Sequence, residues 1–317
     1  MSEEKSFRDL RIVFMGTPEF AVVSLKSLVE DGYNIVGVVT APDRPGGRGM
    51  EMQQSAVKKY AVANNFTLLQ PEKLKAPGFI DQLKSLAADL QVVVAFRMLP
   101  EVVWNMPALG SVNLHGSLLP QYRGAAPINW AVINGEKETG VTTFKLQHEI
   151  DTGNILLQES FSIGKNDTAG EVHDHMMELG AQVLQKTVRG LAEGNLQETP
   201  QAKIALTNPE MLFHAPKILT QTCEINFAHS TEKNFNFIRG LSPHPAAFTL
   251  FEGKKLKIFF AEKLYNQPLG DAGEFTTDKK TFLRFACSDG HLEIKELQLE
   301  GKRRMHVVEF LKGYHFK

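Results

Sequence analysis

The chain has 317 residues, of which 43% are hydrophobic and 22% charged, a balance that argues against disorder as its main state and supplies enough core for two domains. With 35 basic and 36 acidic residues the formal charge is −1, which excludes a grossly basic nucleic-acid coat and leaves room only for local basic patches. From Thr207 onward 16 basic residues stand against 13 acidic ones, so the small positive excess lies in the C-terminal third.

Cys223 and Cys287 are the only cysteines, too few for a disulfide framework or a cysteine zinc site, and they fit a reducing compartment. The opening MSEEKSFRDL mixes both charges and runs straight into an apolar stretch, unlike a secretory signal. No uncharged run approaches the roughly 18 residues of a membrane span. The expectation is a cytoplasmic monomer with no membrane partner.

Along the first 190 or so residues, short β-rich runs alternate with helical patterns. RIVFM (11–15) predicts a buried strand, and Pro18 to Asp31 has helical spacing with Phe20, Val23, Leu25 and Leu28 near one side. NIVGVVT (34–40), a helix over 56–63, TLL (67–69), a helix around 79–86, LQVVVAF (90–96), SVNL (111–114), VTTFKL (141–146) and NILLQES (154–160) follow. Continuous apolar strands alternating with helices imply an α/β, Rossmann-like, mostly parallel sheet covered on both faces. Thr168 and Glu171 form a capping-box pair opening a helix that carries Val172, Met176, Leu179, Val183 and Leu191.

After Gly194 the periodicity breaks. The polar stretch 195–211, with Pro200 and Pro209, reads as a linker between a catalytic domain over 1–194 and a second domain over 212–317. EINF (224–227), AAFTLF (246–251), KLKIFF (255–260), FLRFAC (282–287) and HLEIKELQL (291–299) are evenly spaced strand-like runs. They suggest a small OB-like β-barrel, a shape more often used for binding than for a second catalytic centre.

Several chemistries fail against the motifs. Gly16 is the only glycine in RIVFMGTPEF, so the dinucleotide fingerprint is absent, and no Walker A sequence occurs. Asp151-Thr152-Gly153 has no second triplet to make an aspartic-protease pair. His148-Glu149 lacks a second histidine, and His173 and His175 lie on different helix faces, so no metal is expected. Ser117 has no nucleophile elbow around it.

What survives is Asn113, His115 and Asp151. Asn113 and His115 are two apart at the carboxyl end of a strand, so both side chains point to the same side, at the sheet edge where open α/β folds bind ligands. Asp151 follows another strand and precedes a glycine, on a loop able to face the same crevice. Attack of an amine on a trigonal carbonyl builds charge on oxygen, which an amide and an imidazole can receive. A carboxylate can take the amine proton and favour a protonated imidazole. Each residue taken singly is more simply a loop former or a structural histidine; the combination carries the reading.

The run NLHGSLLPQYRGAAPINWAVINGE, followed by ETGVTTFKL and DTGNIL, resembles the folate-dependent formyltransferases, and the resemblance covers nearly the whole chain. RIVFMGTPEFAV, the loop APDRPGGRG (41–49) and SPHPAAF are similar to the branch whose acceptor is a charged tRNA. The resemblance implies 10-formyltetrahydrofolate as donor and the α-amino group of methionine on initiator methionyl-tRNA as acceptor. It puts Asn113, His115 and Asp151 on catalytic positions, and Ser117, Leu118, Leu119 and Pro120 on a folate-contacting loop. It also implies a Rossmann-like first domain and an OB-like second.

In the 41–49 loop, Pro42 and Pro45 stiffen the chain, the glycines let it turn, and Arg44 and Arg48 offer planar donors to phosphate or a guanine edge. An ordinary exposed loop is the plain alternative. The resemblance assigns Arg44 and Arg48 to tRNA binding. VVVAFRMLP (92–100) departs from the family's usual Val-Val-Ala-Tyr-Gly strand end, leaving Arg97 open between the folate's acidic tail and solvent. Arg123 is open between an electrostatic clamp and a loop brace. AAPINW (125–130), with Asn129 and Trp130, is also similar to sugar-amine formyltransferases, the first alternative, which share the donor but formylate a nucleotide-sugar. The DRPGGRG loop argues against that reading. A glycinamide ribonucleotide formyltransferase is disfavoured by length, and an idle RNA-binding relative by the intact triad.

Overall fold

The computed structural model describes residues 7–46, 50–205, 212–265 and 270–316. The chain falls into two compact units, one of residues 1–123, 140–160 and 174–214, the other of residues 124–139, 161–173 and 215–317.

The first unit is built on a seven-stranded sheet. Its strands are β1 (Arg11–Gly16), β2 (Asn34–Val39), β3 (Leu68–Leu69), β4 (Leu90–Val94), β5 (Ser111–His115), β6 (Glu138–Lys145) and β7 (Ile155–Ser162), in the spatial order β7-β6-β5-β4-β1-β2-β3. β1 pairs in parallel with β2 and with β4, and β4 with β5, while β6 runs antiparallel to β5. The chain thus works outward from β1 to one edge, then crosses back and works outward the other way. In open α/β sheets such a reversal is where ligands bind, here beyond the carboxyl ends of β1 and β4, beside β5.

Ile12 to Met15 and all five residues of β4 are buried, as expected of central strands covered on both faces. Helices Glu19–Glu30, Ala56–Ala63, Pro77–Ser85 and Ala169–Glu193 supply the cover, close to the predicted spans. The capping box is realised: the Thr168 amide donates to Glu171 Oε2 at 2.8 Å, and the Glu171 amide to Thr168 Oγ1 at 3.3 Å. Within the first unit, Gly180 lets this helix lie close to β5, since a Cβ there would stand 2.9 Å from the Leu114 side chain.

The second unit carries a curled antiparallel sheet: β8 (Ala247–Phe251), β9 (Lys254–Leu264), β10 (Phe275–Thr277), β11 (Leu283–Ala286) and β12 (His291–Leu299), in the order β8-β9-β12-β11-β10. A short strand, Met305–His306, pairs with β12. The arrangement is consistent with an OB-like barrel. EINF (224–227) departs from expectation: Glu224 forms only an isolated bridge to Phe248, after a 3-10 turn over Thr220–Cys223. Its alternation is real, because Cys223, Ile225 and Phe227 are all buried in the core, but apolar alternation requires only an extended chain, not a strand partner along its length.

Helix Thr231–Leu241, capped by the Ser230 hydroxyl on the Lys233 amide, closes one side of this core. Helix Pro127–Ile133 packs tightly on it at Gly240, where a Cβ would lie 2.7 Å from the Ile133 amide nitrogen. The Asn129 amide donates to the Gly240 carbonyl and Trp130 Nε1 to the Pro216 carbonyl, both at 2.8 Å. Among the described residues no helix is long and apolar enough to cross a membrane.

Phe251, 1% exposed, is ringed by Phe275, Phe285, Phe310, Tyr314 and Phe316, with centroids 4.7 to 6.5 Å away. Phe251→Ala should therefore cost about 3–5 kcal/mol, read as a lowered midpoint of urea unfolding followed by near-ultraviolet circular dichroism.

Candidate active site

β5 presents Asn113 half-buried and His115 buried at its carboxyl end. The strand is fixed at its start by Ser111, whose hydroxyl lies 3.0 Å from Gln91 Oε1 and 2.6 Å from the Trp104 carbonyl. It is flanked by Val93 on β4 and Phe144 on β6, both opposite Asn113. His115 Nε2 lies 3.0 Å from the Tyr122 carbonyl. A carbonyl oxygen only accepts, so Nε2 carries the hydrogen and Nδ1 is the ring nitrogen left for chemistry. Nδ1 stands 3.9 Å from Asp151 Oδ2, with the two side chains 7% and 14% exposed. Screening by solvent is weak at such burial.

The structure therefore brings His115 and Asp151 together beside Asn113, from positions 36 residues apart in sequence. Among the described residues no protein group takes the Asn113 amide in a hydrogen bond. As a neutral ring, His115 offers Nδ1 as a base; as an imidazolium facing the Asp151 carboxylate, it offers Nδ1–H as a donor.

The Asp151-Thr152-Gly153 turn is held by backbone constraints. Asp151 has φ of +54°, a left-handed conformation that costs a residue with a Cβ roughly 1–2 kcal/mol, although Asp tolerates it better than most. Gly153 is required, because a Cβ there would stand 1.6 Å from the Lys145 carbonyl oxygen. The loop is closed at its neck by Lys145 N donating to the Asn154 carbonyl at 3.0 Å. Glu198 fastens the same neck from outside: it accepts from Lys145 Nζ at 2.7 Å and from Asn154 Nδ2 at 3.0 Å. Lys145, together with Asn154, holds the Glu198 carboxyl below its ordinary range.

The expected folate loop is braced from within. The Ser117 hydroxyl donates to the Gln121 carbonyl at 2.6 Å, Leu119 N to Thr142 Oγ1 at 3.0 Å, and Thr142 Oγ1 to the Ser117 carbonyl at 2.6 Å. Ser117, Leu119 and Pro120 are buried, and Leu118 is half-buried over Gly140. The 41–49 loop is a hairpin at its start, Arg44–Gly46 pairing with Glu51–Gln53. Its base is fixed by Asp43, which accepts from Lys58 Nζ at 2.5 Å and Gln70 Nε2 at 2.9 Å. Arg44 is exposed, while Arg48, Gly47 and Gly49 lie outside the described residues.

Arg97 is half-buried and donates to the carbonyls of Glu72, at 3.0 Å, and Pro71. It braces that segment, and burial pushes its guanidinium below the ordinary range. Arg123 is likewise a brace, donating to Gln201 Oε1 at 3.0 and 2.6 Å. Gln201, on the short helix Gln201–Ala205, is the residue sequence reasoning missed, together with Glu198 and Tyr122. Nothing in the local pattern marks them, because each acts on backbone or on a residue far away in the chain. Among the described residues no three His, Cys, Asp or Glu side chains are placed to hold a metal ion.

Residues 10–188 match the family model described as formyl transferase, and residues 217–315 that of the formyl transferase C-terminal domain. The chain belongs to the formyl transferase family. It is 52% identical over 312 residues to the methionyl-tRNA formyltransferase of Bacteroides fragilis, with 97% of this chain and 96% of the relative covered. It is 53% identical over 312 residues to that of Parabacteroides distasonis, with 96% of each covered. Among solved structures, the sugar 3N-formyl transferase WlaRD aligns with a TM-score of 0.67 at 20% identity, over 93% of this chain and 99% of that one. At that identity the formyl transferase fold is shared, and nothing finer follows.

Because Glu198 titrates below its ordinary range, its contribution to stability is present at neutral pH and is lost as the pH falls below the unfolded value of 4.5. Glu198→Gln should lower Tm at pH 7 by on the order of 1 °C, given its partial exposure. The gap to the parent protein should close as scanning calorimetry is repeated toward pH 3.5.

Proposed function

We propose that this chain transfers the formyl group of 10-formyltetrahydrofolate to the α-amino group of methionine on initiator tRNA, in the cytoplasm and as a monomer. The observation that carries the reading is the His115–Asp151 pair at 3.9 Å beside Asn113, on a chain about half identical over its whole length to relatives named for that reaction.

The amine must attack while neutral. As it bonds to the formyl carbon, negative charge develops on the formyl oxygen, and the Asn113 amide and the Nδ1–H of a protonated His115 are the donors available to it. The amine becomes cationic and must shed a proton; the Asp151 carboxylate takes it directly or through water. Nε2 of His115, committed to the Tyr122 carbonyl, holds the ring still through both steps. Collapse of the intermediate re-forms the formyl carbonyl and breaks its bond to the folate N10, which takes up the proton that Asp151 removed from the amine.

Ser117 to Pro120 form the wall against the folate, with Leu118 the side chain least enclosed. Arg44, and with it Arg48, binds the tRNA, supported by general phosphate attraction from basic residues of the C-terminal half. Residues 1–194 supply the chemistry and 212–317 the further hold on tRNA, joined through 195–211. The sugar-amine alternative loses its local support, since Asn129 and Trp130 spend their polar groups on carbonyls of their own unit.

The deciding experiment offers the purified protein 10-formyltetrahydrofolate with initiator methionyl-tRNA, free methionine or an amino-sugar nucleotide. Formylation of the tRNA alone is expected, and formylation of the sugar alone would overturn the acceptor assignment. Asp151→Asn should lower kcat by about 100- to 10,000-fold while the KM for tRNA stays within a few-fold. Arg44→Ala should do the reverse, raising that KM with little change in kcat, and more so at higher salt.

A further inference from the structure

The segment that reads as a polar linker carries one side chain with more hydrogen bonds than any ordinary connector needs. Gln201 is 2% exposed. Its Nε2 donates to two carbonyls of the Asp151 turn, those of Asp151 and Gly153, both at 2.9 Å. Its Oε1 accepts from Arg123 Nε at 3.0 Å and Nη2 at 2.6 Å. Arg123 follows Tyr122, whose carbonyl receives His115 Nε2 and whose amide donates to the Phe213 carbonyl at 2.7 Å. One carboxamide therefore joins the backbone that carries Asp151 to the backbone that orients His115.

We propose that Gln201 is a positioning residue of the formyl-transfer site, setting the separation between Asp151 and His115. The proposal rests on the reading of that site given above. The Asp151 turn gains little from its own dihedrals, being left-handed at Asp151, so it needs an external hold. A carboxamide is the side chain suited to this place: its NH2 gives two donors to two carbonyls while its oxygen takes the guanidinium. Glutamate would keep the Arg123 contact and lose both donors, setting a charge against two carbonyl oxygens. Methionine would keep the volume and lose all four bonds. The neighbouring backbone keeps the helix in place in either case, because Thr199 and Ile155 exchange both of their amide bonds, at 2.8 and 2.9 Å.

The test measures single-turnover formylation of initiator methionyl-tRNA with enzyme in excess, for the parent protein, Gln201→Met, Gln201→Glu, Asp151→Asn and the two double variants. Gln201→Met and Gln201→Glu should each slow the chemical step on the order of 10- to 100-fold, with the tRNA concentration for half-maximal rate within two-fold of the parent. In the Asp151→Asn background the same substitutions should change the rate by less than about three-fold, since there is no carboxylate left to place. An equal fold-loss in both backgrounds, or a loss confined to tRNA affinity, would overturn the proposal. If one variant fails to fold, the other decides. Absence of tRNA formylation by the parent protein would instead count against the functional reading itself, so the two failures are distinct.

Discussion

The hydrogen bond from His115 Nε2 to the Tyr122 carbonyl, 3.0 Å long, is the constraint on which the site depends. It consumes one ring nitrogen, fixes the tautomer and aims the other nitrogen at Asp151. The bond exists because the chain after β5 doubles back within seven residues, and because Tyr122 takes a left-handed φ of +57°. That conformation is stabilised on all sides. The ring of Tyr122 stacks on Phe213 with centroids 5.7 Å apart, and its amide is taken by the Phe213 carbonyl. The Ser117–Thr142–Leu119 bonds tie the intervening turn to β6. The turn's rigidity is thus a property of its backbone, bought with buried polar groups that all find partners.

A second consequence concerns charge. A carboxylate and an imidazole that are largely buried and nearly in contact form a pair whose net charge depends on where one proton resides. In the proposed reaction the amine proton moves onto this largely buried pair, whose fixed dipoles stand in for reorganising solvent, which is how preorganised sites lower barriers. In the proposed reaction the half-buried Asn113 amide adds a neutral donor with no titration of its own, able to stabilise a developing oxyanion whatever the protonation of its neighbours.

Much of this was legible in the sequence, for reasons tied to periodicity. Asn113 and His115 could be placed on one face because a strand alternates, and Asp151 could be placed on a facing loop because a strand and a glycine bracket it. The continuous apolar runs 12–15 and 92–94 announced central parallel strands. What stayed hidden was whatever acts across long sequence separations on backbone groups. Gln201 reaches carbonyls 48 and 50 residues away, and Glu198 grips Lys145 from a stretch whose composition suggests only a connector. The strand expected over 224–227 failed for a related reason: alternating burial reports an extended chain, and hydrogen-bond partners must be supplied from elsewhere.

Recognition of a polyanion by a chain of formal charge −1 has to rely on where its positive groups are fixed, since no overall field draws the ligand in. Under the proposed tRNA role, the strand pair Arg44–Gly46 and Glu51–Gln53 would meet that need. Asp43 is tied down by Lys58 and Gln70, so the base of the hairpin cannot swing, yet Arg44 beside it remains exposed and no acid pairs with it among the described residues. Arg97 is committed to the carbonyls of Pro71 and Glu72, whereas Arg44 is exposed and is the group that the proposed tRNA role would use.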